Sequence, residues 1–304
     1  MALVNHKKLK LAYMHSVSLA SVALQLHTID PHLRQSYARW LLQALCNISH
    51  ISPFAVISLS DEAYILLQKA IHELTIDAKP LAYIIGSTPF ANLTITTPPP
   101  LLIPRHETEE WCMRLIALLN TTHWKNPLTI LDIGTGTGCI ALAIAYACNN
   151  VTVYAVDKNP DAIACAMANA QKNNITSVHF IESDLLSALD ASLTFDLIVS
   201  NPPYISADEW RTLDASVRVW EDPQALIAQE DGYALLHAIA QQSLLRLKKE
   251  SILRSYGIAQ LWLEIGHLQG PNMHAYLDSI GYQHIQLHND LFGNTRLITA
   301  SPSL

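Results

Sequence analysis

No lysine or arginine run in this sequence is longer than two residues, and 26 Asp and Glu outnumber 19 Lys and Arg, for a net charge of −7. A protein that grips nucleic acid through its phosphates needs clustered cations, so direct nucleic-acid binding is not expected. No apolar run reaches the roughly 20 residues of a membrane-spanning helix. The longest, Cys139 to Cys148, stops at Asn149-Asn150 and reads as a buried helix, so no membrane partner is expected. There is no C-x-x-C, and the five cysteines (Cys46, Cys112, Cys139, Cys148 and Cys165) are odd in number. They read as ordinary buried thiols in a reducing compartment. None of the fourteen histidines forms H-E-x-x-H or another compact ligand spacing, so no metal is expected. G-x-S-x-G, internal repeats and low-complexity tracts are missing as well.

Half the residues are hydrophobic, and 304 of them can fill one large domain and a small one. Asn201-Pro202-Pro203-Tyr204 is the most informative stretch. It follows Phe195–Ser200, an apolar run that reads as a buried parallel strand. Chemistry in α/β sheets collects where strand carboxyl ends open into loops. Asn201 offers a carbonyl acceptor on a short side chain. The prolines fix φ and remove two N–H donors, which leaves a stiff row of carbonyl acceptors followed by an aromatic ring. That suits a planar –NH2 group. A plain Pro-Pro turn after a core strand is the structural alternative.

The second motif is Gly134-Thr135-Gly136-Thr137-Gly138, set between the strand Leu128–Ile133 and an apolar helix from Cys139 to Ala145. Strand, glycine loop and helix form the first half of a nucleotide-binding βαβ unit. The spacing is G-x-G-x-G, not the dinucleotide G-x-G-x-x-G. The next strand, Val151–Val156, ends in Asp157, where a carboxylate can hold two ribose hydroxyls. Asn159 is an N-cap and Pro160 a first helical residue.

These residues resemble S-adenosylmethionine-dependent methyltransferases of the Rossmann-like class I, and Asn-Pro-Pro-Tyr resembles the subset that methylates planar nitrogens. Leu102-Ile103-Pro104-Arg105-His106-Glu107-Thr108-Glu109 narrows the resemblance to the HemK/PrmC family, the glutamine methyltransferases of class-1 peptide chain release factors. Pro80-Leu81-Ala82-Tyr83-Ile84-Ile85-Gly86, Val217-Arg218 with Glu221, Asp231-Gly232, Glu264-Ile265-Gly266 and Asp290–Arg296 fit the same family in order. Trp111, continuing Thr108-Glu109-Glu110, looks like the fungal mitochondrial branch. Departures are His106 in place of a proline, Asp222 between Glu221 and Pro223, and Lys248–Gly257 where a Pro-Gly-Gly turn is usual.

The resemblance implies an α/β fold, with a class I methyltransferase domain over 101–304, a hairpin linker over 81–100 and a helical substrate-recognition domain over 1–80. It implies S-adenosylmethionine as cofactor, held by Gly134, Thr135, Gly136, Thr137, Gly138, Asp157, Asp184, Leu185 and Asn201. Leu185 stands where relatives often carry an aromatic. Asn201, Pro202 and Tyr204 would be catalytic, and Pro203 and Arg105 would join them in binding substrate. Arg105, Glu107 and Glu109 also read as a surface ion-pair cluster. The implied partner is a release factor, bound by a monomer.

In the first segment, Asp30-Pro31 starts a helix with Leu33, Tyr37, Trp40, Leu41, Ala44 and Leu45 on one face. Ser60-Asp61 starts another, burying Leu66, Leu67, Ala70, Ile71 and Leu74. The first 29 residues carry Lys7, Lys8 and Lys10 but no acid and no arginine. They read either as a mitochondrial targeting segment, giving a mitochondrial protein rather than a cytoplasmic one, or as the first basic stretch of the domain. Phe90, Leu93 and Ile95 suggest the hairpin. Closing strands are expected near His284–Leu287 and Thr295–Thr299. Rivals from the residues alone are methylation of an exocyclic base amine, which needs a basic groove and a flipping pocket, methylation of a ribosomal-protein glutamine, a dinucleotide oxidoreductase, and a binding module without activity.

Overall fold

The computed structural model describes residues 14–303 except 47, 49, 53, 122 and 123. Lys7, Lys8 and Lys10 of the targeting reading therefore lie outside the described residues. The chain divides into two compact units between Ile85 and Gly86.

The first unit is not purely helical. Strand β1 (Met14–Ser18) pairs antiparallel with β2 (Val56–Ser60), Met14 opposite Ser60 and Ser18 opposite Val56. Between them run α1 (Leu19–Gln25) and α2 (Arg34–Cys46), and after β2 come α3 (Asp61–Thr75) and α4 (Leu81–Ile85). Strands of five residues with alternating polar positions carry too little apolar signal to stand out in the sequence. Ser18 and Ser60, at the strand ends, cap α1 and α3. On α2 the buried positions are Ala38, Leu41 and Leu42, while Leu33 and Trp40 are exposed. The expected face is thus rotated toward Ala38 and Leu42. On α3 the expectation fails only at Leu66, which is exposed. Val17, Leu19, Val22 and Leu26 are buried in this unit's core.

The second unit begins with the hairpin β3 (Ser87–Phe90) and β4 (Leu93–Thr96), burying Phe90, Leu93 and Ile95. The hairpin is an integral part of this unit: Ala91 N–H donates to Glu109 on α5 (His106–Leu119), and Thr96 N–H donates to Asn169. Strands and helices then alternate through β5 (Leu128–Ile133), α6 (Cys139–Ala147), β6 (Val151–Asp157), α7 (Pro160–Lys172), β7 (Val178–Glu182) and β8 (Leu197–Ser200). After short helices α8 (Ala207–Thr212) and α9 (Ala215–Trp220) follow α10 (Ala234–Arg246), β9 (Leu261–Glu264), α11 (Gly270–Ser279), β10 (Tyr282–Asn289) and β11 (Thr295–Pro302).

Seven strands form one sheet in the order β7-β6-β5-β8-β9-β11-β10, and β11 alone runs against the others. Both faces are buried, as a mostly parallel sheet requires. Ile130, Leu197 and Trp262 join one core with Trp111, Leu115 and Ile140, while Leu131, Ile198 and Leu263 join another with Leu236, Met273 and Leu277. This is the class I methyltransferase architecture. In the connection before β9, Lys248 and Ser251 donate to Asp196 at 2.7 and 3.0 Å, and a 3-10 turn over Ile252–Tyr256 ends at Gly257 with φ +69°.

Candidate active site

The strand order reverses between β5 and β8, the place where open α/β sheets bind ligands beyond their strand ends. Ile133 is opposite Ser200 in register, and the Ser200 hydroxyl donates to the Ile133 carbonyl at 2.7 Å. The glycine loop and the Asn-Pro-Pro-Tyr loop therefore leave adjacent strands side by side. A cavity of about 440 Å³ opens there, walled by Gly134, Gly136, Asp157, Asp184, Leu185, Asn201, Pro202 and Pro203 among others.

Gly134 and Gly136 have φ of +70° and +55°, and the space a Cβ would take at each is open. Side chains are strained in that backbone region, so glycine keeps this wall low. Asp157 ends β6 and accepts N–H from Gly136 at 2.8 Å and from Asn159 at 2.9 Å. Burial raises its pKa, opposed by these hydrogen bonds and by the charge and backbone N–H of Lys158. A carboxylate has about four acceptor sites, so two remain for a ribose diol. The volume and the donor set fit S-adenosylmethionine.

Three expected cofactor residues are not on the wall. Thr135 is buried with its hydroxyl on Asp132 Oδ2 at 2.6 Å. Thr137 is buried, its carbonyl accepting from Asn169 at 2.9 Å. Gly138 is the N-cap of α6 at φ +82°, where a Cβ would press on Ala166. They shape the loop and do not line it. Sequence reasoning passed over Asp132, whose carboxylate organises that loop from beneath through Thr135 and the Ala141 N–H. Full burial pushes Asp132 up to about 7.

On the other wall, Asn201 Nδ2 donates to Thr108 Oγ1 at 2.9 Å, and Thr108 donates to Glu264 Oε2 at 2.7 Å. Trp111 Nε1 donates to the same oxygen at 2.7 Å, and the Tyr204 hydroxyl donates to Glu264 Oε1 at 3.2 Å. Glu264 ends β9 and is 1% exposed. Burial raises its pKa, opposed by these three donors and by Arg296. Tyr204, expected as a catalytic residue, is half-buried and is not among the residues that line this cavity. Its phenol is anchored on Glu264, its carbonyl accepts from Gln269 Nε2 at 3.1 Å, and Gly232 lies against that carbonyl. The sequence held Thr108, Trp111 and Glu264 only as members of motifs.

Arg105 also lies off the wall. Its Nη2 is 2.8 Å from both oxygens of Glu221, whose side chain is 1% exposed. With Asp222 N–H on the Pro100 carbonyl at 2.8 Å, this pair fastens residues 100–105 to the end of α9. The surface-cluster reading fails too, because Glu109 is engaged with the hairpin. His106 is the first residue of α5, where a helix N–H lacks an intrahelical partner. A proline suits that position, and histidine replaces it without losing a bond. Asp222 caps the 3-10 turn Pro223–Ala225.

The family model of methyltransferase small domains matches residues 114–233. A release factor glutamine methyltransferase of Lactococcus lactis is 37% identical over 73% of this chain and 77% of its own. Its namesake in Aliivibrio fischeri is 35% identical over 75% and 76%, and that of Escherichia coli 37% identical over 73% and 75%. A paired glycine cradle and Asn-Pro-Pro-Tyr loop at one switch point, with this identity across most of both chains, place the chain in the release factor glutamine methyltransferase family of S-adenosylmethionine-dependent class I enzymes.

Proposed function

We propose that this protein methylates N5 of the glutamine in the Gly-Gly-Gln motif of a class-1 peptide chain release factor. The observation that carries the reading is that Asn201 lines the same cavity as Asp157, with its amide tethered through Thr108. Relatives named for this activity support it. S-adenosylmethionine supplies an electrophilic methyl group on a positive sulfur.

An amide nitrogen is a poor nucleophile because its lone pair is delocalised into the carbonyl. The protein must align that nitrogen and stabilise positive charge growing on its two hydrogens. Asn201 Oδ1 and the Pro202 carbonyl supply two acceptors aimed at that charge, the inverse of an oxyanion hole. The prolines offer no competing N–H and hold the row stiff. Alignment at near-attack distance supplies much of the remaining rate. No strong base is needed, since the proton can leave after transfer.

The test is mass spectrometry of a release factor co-expressed with and without this chain. One added methyl on the Gly-Gly-Gln glutamine is expected. Methylation confined to a ribosomal protein or to nucleic acid would overturn the reading. The first unit is assigned to recognition of the factor: a chain beginning at Gly86 should bind S-adenosylmethionine yet lose most activity on intact factor. The Thr108-Glu109-Glu110-Trp111 continuation supports a fungal mitochondrial setting, which fractionation of a tagged full chain would test.

A further inference from the structure

Asn201 is symmetric in shape but not in chemistry: one side of its amide donates and the other accepts. A catalytic role as acceptor requires Oδ1 to face the substrate amide, and nothing within the side chain itself selects that orientation. The structure supplies the selection from outside the loop. Thr108 has a single hydroxyl proton. That proton goes to Glu264 Oε2 at 2.7 Å, an oxygen that also receives Trp111 Nε1 at 2.7 Å. Oε2 accepts from both donors, so Thr108 Oγ1, its proton spent, has only a lone pair left for Asn201. The group turned to it must be Nδ2, at 2.9 Å. Among the described residues, Oδ1 receives no hydrogen bond.

From this geometry we infer that Glu264 is the positioning residue of the reaction centre: acting through Thr108, it fixes the Asn201 amide with Oδ1 outward as acceptor. Its other oxygen holds the Tyr204 hydroxyl at 3.2 Å, so one carboxylate fastens both ends of the Asn201–Tyr204 loop. The chain Asn201 Nδ2–H to Thr108 O–H to Glu264 also polarises the Asn201 amide, which makes Oδ1 a better partner for a developing cation. Glu264 is buried and touches no cavity wall, so it acts only through its neighbours.

The orientation stands on this chain's geometry, whereas its use in catalysis rests on the glutamine reading above. Two readouts keep them separate. The first is the side-chain amide resonance of Asn201, assigned by its loss in Asn201→Ala and recorded on the full chain without acceptor. Thr108→Val, which removes the hydroxyl at nearly constant shape, should shift it toward a solvent-exposed amide, and Thr108→Ser should leave it in place. Glu264→Gln, whose own –NH2 can donate to Thr108 and free its proton, should shift it too. The second readout is single-turnover methyl transfer to a Gly-Gly-Gln release factor. Thr108→Val should slow it roughly 5- to 100-fold, the scale of one mispaired buried group, with S-adenosylmethionine affinity unchanged and Thr108→Ser near wild type. An unmoved Asn201 resonance in folded Thr108→Val overturns the inference. So does a moved resonance with an unchanged rate on a factor that the wild type methylates. A wild type inert on the factor overturns the glutamine reading instead, and the resonance then decides the orientation alone.

Discussion

The glycine loop after β5 and the proline loop after β8 leave neighbouring strand ends, yet different means hold them. The glycine loop is fixed from close by along the chain: Asp132 receives Thr135 and Ala141, and Asp157 receives Gly136 and Asn159. Its working surface is backbone, kept low by glycines at positive φ. The proline loop is stiff in itself but is anchored by side chains far along the chain. Thr108 lies 93 residues from Asn201, and Glu264 lies 60 from Tyr204. One loop is held by residues close along the chain, and the other is supported by distant elements. Holding the cofactor and activating the acceptor should therefore be separable by mutation.

The largest effect should come from Asn201→Ala. Removing an acceptor aimed at developing charge should cut kcat by roughly 10²–10³-fold, as losing one oxyanion-hole donor does. Gly232→Ala should come next. A Cβ there would collide with the Tyr204 carbonyl, and misplacing a reaction wall by an ångström can cost roughly 10²-fold. Stopped single-turnover assays would show it, and a wild-type rate in the folded variant would mean that the loop tolerates displacement.

Asp157→Ala belongs to the other loop. It should weaken S-adenosylmethionine binding by roughly 1–3 kcal/mol, read by calorimetry, with the rate at saturation little changed. Tyr204→Phe should be milder still, about 1 kcal/mol in the single-turnover barrier. That cost comes from the hydroxyl bond to Glu264, so an effect below twofold would discount that anchor. The smallest effect concerns stability against pH. Asp132 is pushed from 3.8 up to about 7 by burial. The native state then keeps a proton that the unfolded chain releases, so the stability contributed by this group is lost as pH rises from about 4 to about 7. Asp132→Asn should flatten that part of the melting-temperature profile, and an unchanged slope would remove Asp132 from the account.

The same contrast explains what the sequence disclosed. Gly134 to Gly138, Asp157, Asn159 and Pro160 form one continuous stretch in which strand, loop, cap and helix follow each other, so the cradle and the sheet around it were legible. The support beneath the proline loop was not. Thr108 and Glu264 are 156 residues apart, and nothing local in either tells that they meet. Arg105 reads as a substrate ligand only through the family signature, and its partner Glu221 lies 116 residues further along the chain, where nothing local discloses it. The strands β1 and β2 escaped notice because a five-residue ribbon with polar positions has no period long enough to read.

The most direct test takes Asn201→Ala and Asp157→Ala together, measuring S-adenosylmethionine affinity by calorimetry and single-turnover methyl transfer to a Gly-Gly-Gln release factor on each. The account predicts a crossed result: Asn201→Ala slows transfer at least 10²-fold with affinity nearly intact, and Asp157→Ala loses affinity with transfer at saturation nearly intact. Near-wild-type transfer by correctly folded Asn201→Ala would contradict it, leaving the Pro-Pro segment as a turn after a core strand.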